Sequence, residues 1–147
     1  CSASLPGLDG ARARVIYGVG IDLVETQRLR DSLAAHGERF ANRILAEAEW
    51  DGFRAARDGA LFLAKAFAAK EALGKAAGTG IRAPVNLRDI WVARDALGKP
   101  SLHFGPALAA WLAARRIVRW HLSLTDERAH VAAVVILETP DPLPEPT

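Results

Sequence analysis

Residues Val15 to Asp22 alternate strictly. Val15, Tyr17, Val19 and Ile21 point one way, and Ile16, Gly18, Gly20 and Asp22 the other. A period of two fixes an extended strand. One of its faces is well filled, while the other is stripped by two glycines and ends in a carboxylate. Glycine inside a strand sacrifices side-chain packing and marks close approach by a ligand or by another backbone. A dinucleotide-binding fingerprint is the rival reading of Gly18-Val19-Gly20. It fails, because the third glycine would fall at Leu23 and no βαβ unit follows.

A second constraint comes from FAAKEALGKAAGTGI, residues 67 to 81. Alanine and leucine dominate it, which predicts a helix running from about Ala60 to Ala77. Gly78-Thr79-Gly80 then stops the helix, since glycine accepts the positive φ that a helix end often requires. Glu71 and Lys75, four apart, share one helix face. A carboxylate beside an ammonium, next to closely approachable backbone, suits a phosphate or metal–phosphate site. An exposed ion pair on a glycine-capped helix is the plainer alternative. If Asp22 and Glu71 meet in space, two carboxylates suit Mg²⁺, which takes oxygen ligands from one or two carboxylates plus water and phosphate. Lys75 and the loop amides would then neutralise phosphate oxygens.

The remaining elements follow from pattern. Helices are expected over Glu25–Ala35 and Glu47–Arg57, the second with Trp50 and Phe53 as core contacts, and Phe40 to Leu45 is a short apolar-basic segment between them. The long helix should bury Leu61, Phe62, Phe67 and Leu73. Ile90–Ala93 and Pro100–Phe104 flank a turn at Asp95–Gly98 and predict a hairpin. Pro106 suits the first turn of a helix through Ala114. Trp120, Leu122 and Leu124 alternate with His121, Ser123 and Thr125 in a half-buried strand, and the apolar run Val131–Leu137 predicts a central strand. The expected class is α+β: a single domain over residues 15–138, with a mostly antiparallel sheet packed on a long central helix. Residues 1–14 read as a disordered extension and residues 139–147, rich in proline, as a flexible tail.

Composition narrows the function classes. The 147 residues are 50% hydrophobic and 24% charged, ordinary for a globular domain, and no apolar run approaches a membrane span. No signal-peptide pattern opens the sequence and Cys1 is the lone cysteine, which fits a cytoplasmic setting. A formal charge of +2 is too mild to point to nucleic acid. Locally, Arg28, Arg30, Arg39 and Arg43 form a basic region suited to an acidic protein or a phosphate, or simply to a solvated helix face. No Walker loop, zinc-ligand cluster or nucleophile elbow is present.

GVGIDLVE at 18–25, FLAKAFAAKEALGKAAGTGI at 62–81, LGKPSL at 97–102 and HLSLTDE at 121–127 occur in this order. Together they resemble the bacterial holo-[acyl-carrier-protein] synthases, the short-chain group of 4′-phosphopantetheinyl transferases. The resemblance implies Asp22 and Glu71 as Mg²⁺ ligands and Lys75 as a contact to the phosphates of coenzyme A. It implies Gly78, Thr79 and Gly80 along the nucleotide, His121 near the same ligand, and Arg28 docking the acidic carrier protein. It further implies a homotrimer with each active site at a subunit interface. The reaction would move the 4′-phosphopantetheine arm to a serine of apo acyl carrier protein, with Glu71 or a metal-linked water as base. One departure stands out: many relatives carry arginine where this chain has Ala66, which weakens the expected phosphate contact. Asp126, where many relatives have histidine, is a familiar variant. A different Mg²⁺-dependent nucleotide-pyrophosphate enzyme, or a non-catalytic nucleotide-binding domain, are the alternatives.

Overall fold

The computed structural model describes residues 14–140, and the expected N-terminal extension and proline-rich tail lie almost wholly outside them. The first strand, β1, runs Val15–Glu25, further than the alternating pattern alone required. It leads into helices α1 (Thr26–His36) and α2 (Glu38–Ile44), which meet at Gly37. The helix expected over Glu47–Arg57 is divided into a 3₁₀ turn at Glu47–Glu49 and a short α3, Trp50–Ala55. The long α4 spans Gly59–Ala77. After it come β2 (Ile90–Arg94), β3 (Pro100–Phe104), α5 (Pro106–Ala114), β4 (Arg119–Glu127) and β5 (His130–Thr139). Thr139, placed by its sequence at the head of the tail, is the buried last residue of β5.

All strand pairings among these elements are antiparallel, as the α+β reading expects. A three-stranded sheet has the order β1-β5-β4, and β2-β3 forms a separate hairpin. The apolar run in β5 is therefore the central strand, flanked on both sides. Helix α4 lies across this sheet. Its N-terminus is capped by Asp58, whose carboxylate accepts from the Leu61 amide at 3.2 Å and is held by Arg30 at 3.0–3.1 Å. Alanines 64, 68, 69 and 72 are fully buried along it, and so is Leu73. Leu61, Phe62 and Phe67 are only partly covered.

The two glycines of β1 are explained by α4. A Cβ on Gly18 would lie 1.9 Å from the Ala76 carbonyl oxygen, and one on Gly20 would lie 1.9 Å from that of Ala72. The strand and the helix backbone touch, and only glycine permits it. Of the two readings of these glycines, ligand or backbone, the structure shows the backbone. The glycine-bared face is the covered one, while Val19, Ile21 and Leu23 stand 57–68% exposed on the far side. A register shift between Ile16 and Gly18 also breaks the simple alternation, so Tyr17 packs against the core. No helix among the described residues is long and apolar enough to cross a membrane.

Candidate active site

Register places Gly18, Gly20 and Asp22 opposite Leu137, Val135 and Ala133, all of which face α4. The glycine contacts set the depth of β1 against the helix. Asp22, the next inward-facing position, then meets the Glu71–Lys75 turn of α4. Lys75 Nζ donates to Asp22 Oδ1 at 3.0 Å and to the Ile21 carbonyl at 3.0 Å. Burial pushes the Glu71 carboxyl above its ordinary value, and the negative charge of Asp22 pushes it the same way, with Lys75 pulling back. Three of the predicted residues, Asp22, Glu71 and Lys75, thus form one cluster.

Asp22 and Glu71 of this cluster open onto a cleft of about 550 Å³. Asp22 and Glu71 line its inner end, Leu29, Phe40 and Phe67 its apolar wall, and Arg28 and Arg43 its rim. Arg28 is therefore brought to the same cleft as the carboxylates. Arg43 and Phe67 complete it. Both were read from the sequence only as members of a basic region and a core, because nothing local says which neighbours they share.

A divalent cation fits this donor set. Two oxygen-only side chains and the nearby Ile21 carbonyl suit a hard ion that keeps water and phosphate in its remaining positions. The described residues contain no group of three His, Cys, Asp or Glu that could hold a metal, so a closed all-protein cage is absent among them.

The loop after α4 behaves differently from the expectation. Gly78, Thr79 and Gly80 all donate their amides back to the Gly74 carbonyl, at 3.1 Å and 3.0 Å for the last two. Gly78 and Gly80 adopt φ of 82° and 64°, which this reversal needs. A Cβ on Gly74 would come within 2.8 Å of the Gly80 carbon, so the loop rests directly on the helix. These amides cap carbonyls and are not free phosphate donors.

His121 is not brought to the cluster. It pairs with Ile136 across β4 and β5, on the sheet face opposite α4, and its Nε2 lies 2.7 Å from Glu138 Oε2. That contact holds the Glu138 carboxyl below the usual range. Ala66 is 4% exposed and borders a second hollow of about 240 Å³, with Lys65 and Arg94 also on its lining. Lys65 pairs with Asp126 at 3.3 Å. Lys70, adjacent to Glu71, is fully buried. Its ammonium contacts the Ile44 carbonyl at 2.6 Å and Glu49 at 2.5 Å.

Two carboxylates and a lysine presented jointly by the central helix and first strand of an α+β domain suit phosphoryl transfer. The family model of the 4′-phosphopantetheinyl transferase superfamily matches residues 18–135, and the chain belongs to that superfamily. Within it, the similarity is to the holo-[acyl-carrier-protein] synthases, and the chain is an enzyme of that kind. It is 54% identical over 125 residues to the holo-[acyl-carrier-protein] synthase of Azoarcus sp., covering 85% of this chain and 99% of the relative. The enzyme of Thiobacillus denitrificans is 53% identical, with 84% and 95% covered. The crystal structure of the Neisseria meningitidis synthase superposes with a TM-score of 0.81 at 46% identity, covering 84% of this chain and 98% of that one. A Bacillus anthracis synthase solved in complex with CoA (3′,5′-ADP) superposes at 0.71 with 35% identity, over 84% and 97%.

Proposed function

We propose that this enzyme transfers the 4′-phosphopantetheine arm of coenzyme A to a serine of apo acyl carrier protein, releasing adenosine 3′,5′-bisphosphate, with Mg²⁺ as cofactor. The setting would be cytoplasmic fatty acid biosynthesis. The observation that carries the reading is the meeting of Asp22, Glu71 and Lys75 beside a cleft that Asp22 and Glu71 line together with Arg28 and Arg43. The Bacillus anthracis relative, solved with CoA (3′,5′-ADP), supports the nucleotide class of the substrate.

Asp22 and Glu71 would hold Mg²⁺, which when bound supplies charge stabilisation to the pyrophosphate during phosphoryl transfer. Lys75 would accompany the leaving bisphosphate as its charge grows. Glu71, or a water held by the metal, would take the proton of the carrier serine. Leu29, Phe40 and Phe67 would keep water from the reacting phosphorus. Arg28 and Arg43 would receive the acidic carrier.

A homotrimer with shared sites belongs to the same proposal. It is supported by the exposed apolar row Val19, Ile21 and Leu23 and by the position of His121. Within one chain, His121 and Glu71 lie on opposite sides of the sheet, and a site shared across a subunit boundary would bring both to one ligand.

The test incubates the protein with coenzyme A, Mg²⁺ and an apo-carrier and follows the carrier by mass spectrometry. The expected result is a gain of one phosphopantetheine arm on one serine. An unmodified carrier with coenzyme A consumed would favour a different pyrophosphate enzyme. Coenzyme A bound but unchanged would favour a non-catalytic domain, the reading to which Ala66 lends some support.

A further inference from the structure

We propose that Lys75 is the resident counter-ion of the Asp22–Glu71 pair and competes with the divalent cation for Asp22, so that metal entry and release of Lys75 toward substrate phosphate form one exchange. The inference rests on the reading of Asp22 and Glu71 as metal ligands given above. Lys75 spends two of its three N–H donors on β1, at 3.0 Å to Asp22 Oδ1 and 3.0 Å to the Ile21 carbonyl. Those are the oxygens that a cation entering beside Asp22 would use.

The two partners are unequally fixed. The Asp22 side chain is 14% exposed and that of Lys75 is 52% exposed. Asp22 sits on a strand whose backbone is wedged against α4 at Gly18 and Gly20, so its main chain is held at a fixed depth against the helix. Lys75 carries a flexible four-carbon stem that opens to solvent. When the two cations contend, the ammonium is the one that moves.

The charges give the exchange its direction. Asp22, Glu71 and Lys75 together leave one net negative charge, whereas a dication added with Lys75 still in place would turn it into one net positive charge, with ammonium and metal side by side at Asp22. Metal alone therefore binds weakly. A phosphate-bearing substrate offers the displaced ammonium a new acceptor, and the reciprocity of linked binding requires that each then tighten the other.

The test titrates Mn²⁺ alone into the full-length protein and reads free Mn²⁺ by its paramagnetic resonance signal. It compares wild type with Lys75→Met, Lys75→Arg, Asp22→Asn and the Lys75→Met/Asp22→Asn double variant. Lys75→Met is expected to bind Mn²⁺ about tenfold more tightly, by removal of a close positive charge. Lys75→Arg, which keeps the charge, should stay within roughly twofold of wild type. Asp22→Asn should abolish binding in both backgrounds. Equal or weaker binding by Lys75→Met, with Asp22→Asn still abolishing it, overturns the exchange alone. Binding by Asp22→Asn as tight as wild type overturns the metal-ligand reading, and the exchange with it.

Discussion

Glu71 carries a conflict that its position makes inevitable. To face Asp22 from the buried side of α4 it must lose hydration, and both effects disfavour its charged form. Because its folded pKa is raised, the folded state favours the protonated form. The stability this gives is present below the ordinary glutamate value and is lost as pH rises through the raised one. The expected outcome is that metal-free Glu71→Gln melts roughly 1–3 °C higher than wild type at neutral pH. The gap should close as the pH falls below the ordinary glutamate range, and calorimetry across pH would check it. In activity the sign is opposite. Loss of a metal ligand should cut Mg²⁺-dependent turnover by about a hundredfold or more, and near-normal turnover in the variant would remove Glu71 from the metal site. Wild-type metal affinity should begin to fall, on acidification, at a higher pH than an ordinary glutamate would produce. Gly20 is the other residue whose role is decided by one atom. Gly20→Ala sets a Cβ against the Ala72 carbonyl, where backbone and not a flexible side chain must yield. A loss of about 3 kcal/mol or more in denaturant titration, or insoluble protein, is expected.

At the scale of elements, α4 is held in register by a buried charge pair. The Lys70 ammonium joins the end of α2 through the Ile44 carbonyl to the 3₁₀ turn through Glu49. Glu49 in turn accepts from the Ala46 amide at 3.0 Å and the Val92 amide at 3.2 Å, tying in β2. Burial pulls the Lys70 ammonium below the usual lysine value, with Glu49 opposing. Lys70→Met should cost about 3–5 kcal/mol, because it strands a buried carboxylate and not because the pair is intrinsically strong. Chemical denaturation of the metal-free protein measures it. Much of this layer was legible in the sequence. The strand alternation, the alanine-rich helix with its glycine stop, the hairpin and the central strand all follow from period and turn chemistry, and β3 matches to the residue. What escaped were relations between elements. Two glycines announce that something presses on β1, yet the strand's own residues cannot say that the something is α4. The same gap left Lys70 unnoticed, since a lysine on a helix reads as solvated until its partners, 26 and 21 positions away, are known. The use of the loop amides is hidden for a related cause: which carbonyls they cap depends on where the chain turns next.

For the whole molecule, two surfaces matter. The basic rim of the cleft should steer an acidic carrier, so Arg28→Ala is expected to raise the carrier KM several-fold at low salt with little change for coenzyme A. The difference should fade as salt is added, which steady-state kinetics at two ionic strengths would show. The outer sheet face is a larger commitment. Ile21 and Leu23 are more than 60% exposed on one chain, a poor arrangement for a lone domain. Placing lysine at both positions should yield a monomer by light scattering, still folded by circular dichroism because neither side chain serves the core beneath. Transfer activity should fall with assembly, since His121 would then be parted from any Glu71.

The strand order has a consequence for how the protein is made. β5, the middle of the main sheet, is the last element among the described residues, and of these strands it alone pairs with both β1 and β4. During synthesis β1 emerges first and then waits on the order of 5–20 s, at ordinary elongation rates, for its only strand partner. Helix α4 arrives midway and can dock on the glycine face in the interval, shielding one side of β1 while its hydrogen-bonding edge and apolar outer row stay open. A ribosome that stalls short of His130 would therefore present a nascent chain with a nearly complete carboxylate cluster and no sheet to hold it.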